Sequence, residues 1–132
     1  MTIVGEKGDK KVLIVDDEPA NIEFLEEILE MQGCKNVDSF ISANEAIESY
    51  KATNYDLVLL DWNMPELSGL EVLKTFIDIN KDPKPKVVVL TGHKDITINE
   101  QALAHGANDI LSKPFSINSL VDCLDKAFSN NT

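Results

Sequence analysis

Four apolar runs in this sequence each stop at residues able to do chemistry. Val12-Leu13-Ile14-Val15 runs into Asp16, Asp17 and Glu18, and Leu57-Val58-Leu59-Leu60 into Asp61. Val87-Val88-Val89-Leu90 runs into Thr91, and the shorter Ile110-Leu111 into Ser112 and Lys113. Brought together, the carboxylates repel: at about 4 Å and an effective dielectric near 20, each like-charged pair costs about 4 kcal/mol before screening. Such a cluster takes up protons or binds a cation. His93 is the one imidazole or thiol near these positions, so the donors are essentially all oxygen, which selects Mg2+ or Mn2+ over zinc. An ammonium (Lys113) and a hydroxyl (Thr91) opposite that ion could stabilise the oxygens of a phosphoryl group in transfer. Asp61 would be its nucleophile and an acyl phosphate the product.

These residues meet only if the runs lie side by side, and the intervening sequence is built for that. Continuous, mostly β-branched runs are expected of strands buried on both faces of a parallel sheet. After the first run, Ile22, Leu25, Ile28 and Leu29 share one helical face against Glu23, Glu26, Glu27 and Glu30, and Gly33 ends the helix. A weaker strand over 37–41 precedes Ser42, an N-cap for a helix whose Ala43, Ala46, Ile47 and Tyr50 follow the i, i+3, i+4, i+7 spacing. Leu70, Leu73 and Ile77 mark a third helix, and two prolines make 81–86 a turn. A poorly patterned fourth helix passes through Ala102 and Leu103 to Gly106. Ser116 caps a fifth, carrying Ile117, Leu120, Val121, Leu124 and Phe128.

The alternation predicts an α/β fold, a doubly wound five-stranded parallel sheet with helices on both faces, a (βα)5 three-layer sandwich. Ligands of such sheets bind at the carboxyl ends of the strands, where the winding reverses. That is where the polar residues stand. Residues 1–10 read as a flexible arm, 11–128 as one domain and 129–132 as a tail.

Composition removes other classes. The chain has 132 residues, 43% hydrophobic, enough for a single core. A formal charge of -11 repels phosphate backbones, so nucleic acid is not expected as a partner. No apolar run reaches membrane-spanning length, and the polar start lacks the form of a signal peptide. Cys34 and Cys123, far apart and without metal-ligand spacing, suggest neither a disulfide nor a zinc site and fit a reducing cytoplasm.

Val15-Asp16-Asp17-Glu18-Pro19, then Asp61-Trp62-Asn63-Met64-Pro65 with Ser68-Gly69, then Thr91-Gly92, then Ser112-Lys113-Pro114-Phe115 resemble, as an ordered set, the receiver domain of two-component response regulators. The resemblance spans residues 11–128, and it implies the flavodoxin-like arrangement. It makes Asp61 the phosphoacceptor, Asp17 a direct ligand of Mg2+ (or Mn2+), Asp16 a ligand acting largely through water, and Asn63 a ligand through its backbone carbonyl. Thr91 and Lys113 would bind the phosphoryl group, and Pro114 matches a proline that follows a cis peptide. The donor would be a phosphohistidine on a sensor histidine kinase or a histidine phosphotransfer protein, with output through another protein, since only 129–132 follow the last helix. Two positions depart from or vary within the family. Ile110 stands where an aromatic residue is common, which argues against an aromatic-rotamer switch. His93 stands where side chains influence access of hydrolytic water and would tune the lifetime of the phosphorylated form.

Plainer readings compete. Asp16, Asp17 and Glu18 suit a helix N-terminus, Thr91 suits a helix cap, and Trp62, Met64 and Phe115 suit packing. A phosphohydrolase with an aspartyl-phosphate intermediate would want a second acid two residues after the nucleophile, where this chain has Asn63. A nucleotide-binding protein would want a glycine-rich phosphate loop, and none occurs.

Overall fold

In a computed structural model, described here for residues 8–64, 67–92 and 96–128, strands and helices alternate. They are β1 (Lys11–Val15), α1 (Pro19–Met31), β2 (Asn36–Phe40), α2 (Ala43–Ala52), β3 (Leu57–Asp61), α3 (Gly69–Asp78), β4 (Lys86–Thr91), α4 (Ile96–Ala104), β5 (Asp109–Ser112) and α5 (Ile117–Phe128). The five strands form one parallel sheet in the order β2-β1-β3-β4-β5. The chain therefore winds outward from β1 in one direction and then from β3 in the other, and the reversal lies between these two strands.

Period-two alternation sorts each strand onto two cores. Leu13, Val15, Val58, Leu60, Val87 and Val89 face α2, α3 and α4, where Tyr50 stacks on Phe76 with ring centroids 4.3 Å apart. Val12, Ile14, Leu57, Leu59, Val88 and Leu90 face α1 and α5. Most of these side chains are wholly removed from water, each contributing about 1.5–3 kcal/mol of transfer free energy. The central strands read as unbroken apolar runs because both of their faces are covered.

The edges of the sheet are different. β5 pairs only with β4, and all four of its residues are half-buried. β2 is less buried still, with Asn36 and Asp38 exposed, which is why its sequence, Asn-Val-Asp-Ser-Phe, reads weakly as a strand. Helix starts follow local chemistry: Ser42 and Ser68 accept the N–H of Glu45 and Glu71 at 3.3 and 3.2 Å, and Ser116 accepts that of Ser119 at 3.1 Å.

Two helix faces differ from the sequence expectation, and a third, that of α4, the sequence left unassigned. In α5 the buried stripe is Leu120, Cys123, Leu124 and Phe128, which leaves Ile117 on its flank at 48% exposure. In α3, Val72 and Phe76 join Leu73 in the core, and Leu70 and Ile77 sit at its margin. In α4, Ala102 is buried while Leu103 is exposed. In α4 and α5 a large apolar residue at the edge of the buried stripe, Leu103 or Ile117, stays exposed, whereas Leu70 and Ile77 of α3 are half-buried against the core.

Candidate functional site

Parallel pairing puts the ends of β1, β3, β4 and β5 at one end of the sheet, and the register decides what lies beside what. Val15 pairs with Leu60, so Asp16 follows next to Asp61; Asp61 pairs with Leu90, so Thr91 is the next neighbour. Thr91 in turn pairs with Ser112, directly before Lys113, whose N–H donates to the Thr91 carbonyl at 2.7 Å.

Asp16, Asp17 and Asp61 each offer a carboxylate oxygen, and the three lie within 4.8 Å of one another. Asp16 is fully buried, Asp61 is 1% exposed and Asp17 is half-buried. The Lys113 ammonium donates to Asp61 Oδ1 at 3.1 Å and stands 3.6 Å from Asp16 Oδ2. Asp61 Oδ1 also accepts the backbone N–H of Asn63 at 3.1 Å. Asp16 divides its two oxygens: Oδ1 accepts the N–H of Glu18 at 2.9 Å, while the buried Oδ2 has no hydrogen-bond partner among the described residues. One cation facing three carboxylates leaves the cluster under-neutralised. Burial pushes the Asp61 carboxyl up to about 7, the nearby Asp16 adds to the rise, and Lys113 and the Asn63 N–H oppose it.

An orphaned buried carboxylate oxygen beside two further carboxylates is the donor set a hard divalent cation takes. It is all oxygen, anionic and open on one side through Asp17 and the exposed Asn63. The residues present therefore fit Mg2+.

The capping alternatives fare unevenly. Glu18 occupies the N-cap position of α1, but its side chain makes no cap bond and instead accepts from Asn21 Nδ2 at 2.8 Å. Thr91 is a buried strand residue, and α4 begins only at Ile96, so it does not cap that helix. Trp62 and Met64 pack on one core and Phe115 on the other. Ile110 is half-buried against the α2–α4 core. The Lys113–Pro114 peptide is cis. His93 and Pro65 lie outside the described residues.

Two neighbours of the site have roles that were not read from the sequence, Phe24 because it was not singled out and Gly69 because it was quoted only within a motif. The Phe24 ring lies 5.8 Å from that of Phe115, and the two form with Pro114 an apolar wall beside Lys113. Phe24 sits off the main stripe of α1, so periodicity gives no signal for it. Gly69 is the second: a Cβ there would lie 2.5 Å from Trp62 Cα, and its N–H donates to the Trp62 carbonyl at 3.0 Å. The first residue of α3 is thereby fastened to the residue after Asp61.

Comparison with known proteins agrees with this geometry. The chain is 32% identical over 117 residues to the chemotaxis protein CheY of Thermotoga maritima, covering 89% of this chain and 96% of that protein. It is 32% identical over 111 residues to the cell cycle transcriptional regulator CtrA of Caulobacter vibrioides, covering 84% of this chain but 47% of the regulator, so it spans about half the length of that relative. The receiver domain of the sensor histidine kinase PA1611 from Pseudomonas aeruginosa, described with a magnesium ion coordinated in its active site cleft, superposes with a TM-score of 0.81 at 26% identity. That match covers 90% of this chain and 97% of the other. Residues 12–125 match the response regulator receiver domain, and it is to this family of signalling domains that the chain belongs.

Proposed function

We propose that the protein is a phosphorylation-controlled switch that takes a phosphoryl group onto Asp61 from a phosphohistidine, carried by a sensor histidine kinase or a histidine phosphotransfer protein. The observation that supports this most is the meeting of Asp16, Asp17 and Asp61 within 4.8 Å around a lysine ammonium 3.1 Å from Asp61. A structural role would not require three carboxylates to be crowded at a cost of several kcal/mol.

In this reading Asp16, Asp17 and Asp61, with the backbone carbonyl of Asn63, hold Mg2+, or Mn2+ in its place. When bound, the ion screens the incoming phosphoryl oxygens from the carboxylates and fixes their orientation. Asp61 Oδ1 is engaged by Lys113 and Asn63, so Oδ2 presents the lone pair that attacks phosphorus. The P–O bond forms, the P–N bond to the donor imidazole breaks, and its electron pair stays on the ring nitrogen. The Lys113 ammonium and the Thr91 hydroxyl then receive the phosphoryl oxygens. Asn63, two residues after Asp61, supplies no acid or base for rapid hydrolysis, so the product persists as a phosphoprotein without turnover of a separate substrate. His93 and Ile110 tune its lifetime and its readout. The switched domain is 11–128, with 1–10 and 129–132 as arms, and the signal passes to an output protein in trans within the cytoplasm.

The test is intact-protein mass spectrometry after incubation with acetyl phosphate, with and without Mg2+, on wild type and Asp61→Asn. One metal-dependent phosphoryl adduct on the wild type alone is expected. Equal adducts on both proteins would reject the assignment.

A further inference from the structure

At the opposite end of the sheet, where β4 and β5 begin and α5 finishes, lies a partly enclosed cavity of about 250 Å3 that the phosphoacceptor site does not use. Its floor is Val88 and Cys123, 1% and 5% exposed, with Ala127 beside them. Its rim carries the exposed Lys86 and Lys126. Among the described residues neither ammonium has an ion-pair partner. The single carboxylate in the lining is Asp109, whose Oδ1 is already turned back to accept the Ile110 N–H at 2.9 Å. In a chain of net charge -11, a concavity with two unpaired cations against one acid is a local reversal of sign. Such reversals concentrate anions where low-dielectric walls limit screening.

We propose that this cavity binds a small organic anion. Its carboxylate or phosphate would lie between the Lys86 and Lys126 ammonium groups, and its apolar body on Val88, Ala127 and the Cys123 thiol. The volume falls just below the usual range of about 300–1,000 Å3 for ligand pockets, so the occupant is metabolite-sized. The apolar floor suits an aromatic or short aliphatic body, and a fully hydrated ion such as sulfate would gain nothing from it. Burial and the neighbouring Asp109 push the Cys123 thiol up to about 11, so the sulfur meets the ligand as a neutral, polarisable wall.

The position gives the site a means of influencing the far end. Val88 pairs with Asp109, and three residues further along the same two strands Thr91 pairs with Ser112. That is about 10 Å of shared ladder. Asn108 clamps the strands at the cavity, donating its N–H to the Val87 carbonyl at 2.7 Å while its side-chain oxygen accepts the Val87 N–H at 2.8 Å. A ligand joining Lys86 on β4 to Lys126 on α5 would stiffen the unit that delivers Thr91 and Lys113.

The experiment titrates the full chain with benzoate and, as the neutral isostere, benzamide, following backbone amides by 1H–15N NMR. Saturable shifts centred on Val88, Asp109 and Cys123 are expected with benzoate, with at least tenfold weaker binding of benzamide. The double variant K86M/K126M should lose that preference. Ala127→Phe, which fills the cavity from a half-exposed position, should abolish both shifts while circular dichroism stays that of wild type. No saturable shift, equal affinity for both probes, or shifts centred on Lys113 instead would overturn the proposal. The readout is binding at the far end of the sheet, so it can fail or succeed independently of phosphorylation at Asp61.

Discussion

The Lys113 ammonium reaches Asp61 Oδ1 at 3.1 Å across 52 residues of sequence, and it is a cation that two buried carboxylates have to share. A lysine beside one carboxylate would hold that acid ionised. Here burial and the second carboxylate, Asp16, outweigh it, and Asp61 titrates near 7. The apo site is thus poised close to neutrality, and its charge state can be moved by a modest change of pH or by a cation.

Stability should carry the signature of that poise. The folded state holds the Asp61 proton more tightly than the unfolded chain, whose value is about 4. The metal-free protein therefore loses stability as pH rises from about 4 to about 7, and the loss levels off above that. Asp61→Asn removes the penalty. In EDTA it should be more stable than wild type by about 1–3 kcal/mol at pH 8, with the difference vanishing near pH 4. Urea unfolding across the pH range measures it, and a difference independent of pH would contradict the origin given.

A divalent cation should act on the same energy. Mg2+ at about a hundred times its Kd should stabilise wild type by about 2.7 kcal/mol. Trp62, the single tryptophan and the neighbour of Asp61, should report the binding as a saturable change in fluorescence. Asp17→Asn should weaken the titration about tenfold or more, equivalent to about 1.4 kcal/mol. A flat titration of wild type would count against the ion site.

Gly69 should tolerate no side chain. An added Cβ would meet backbone at Trp62, with Cα at 2.5 Å and the carbonyl oxygen at 2.9 Å, so Gly69→Ala should cost about 2–4 kcal/mol despite the usual helix preference for alanine. Gly92→Ala is the control: beyond its chain neighbours no described residue lies within 4 Å of its Cβ position, and its stability should stay within about 0.5 kcal/mol of wild type. Thermal unfolding of both variants separates close approach from a general effect of replacing glycine.

Asn99 on α4 leaves its side-chain oxygen buried without a hydrogen-bond partner among the described residues. Asn99→Leu should therefore raise stability by about 1 kcal/mol, removing an unsatisfied acceptor and improving helix propensity together. A destabilised variant in the same unfolding assay would show that the oxygen is satisfied in solution.

Asp61, Thr91 and Lys113 were legible in the sequence because the first two directly follow an apolar run and Lys113 comes one residue after another, and a buried parallel strand announces itself by that run. The three-layer order followed from the alternation. What stayed hidden depends on contacts between elements. The weld of Gly69 to Trp62 leaves no periodic trace, and the partner of Phe115, Phe24, lies off the main stripe of its helix. Cys123 displaced Ile117 from the core of α5 because the stripe with the deepest contact, not the most apolar residue, sets the rotation of that helix. The half-burial of β5 follows from its place at the edge, which only the strand order determines. The charge of Asp61 was the least readable feature, since it depends first on how completely Asp61 itself is sealed from water and then on the nearby Asp16.

The hydrogen bond from Gly69 to Trp62 ties the two ends of the intervening stretch, residues 63–68, to one point. Closing a longer loop at that knot costs only about 0.6 kcal/mol for each doubling of its length. Insertions placed between Asn63, whose N–H holds Asp61 Oδ1, and the Ser68 cap of α3 should therefore leave β3 undisturbed, giving natural variation and protein engineers alike a place to change length without rebuilding the sheet.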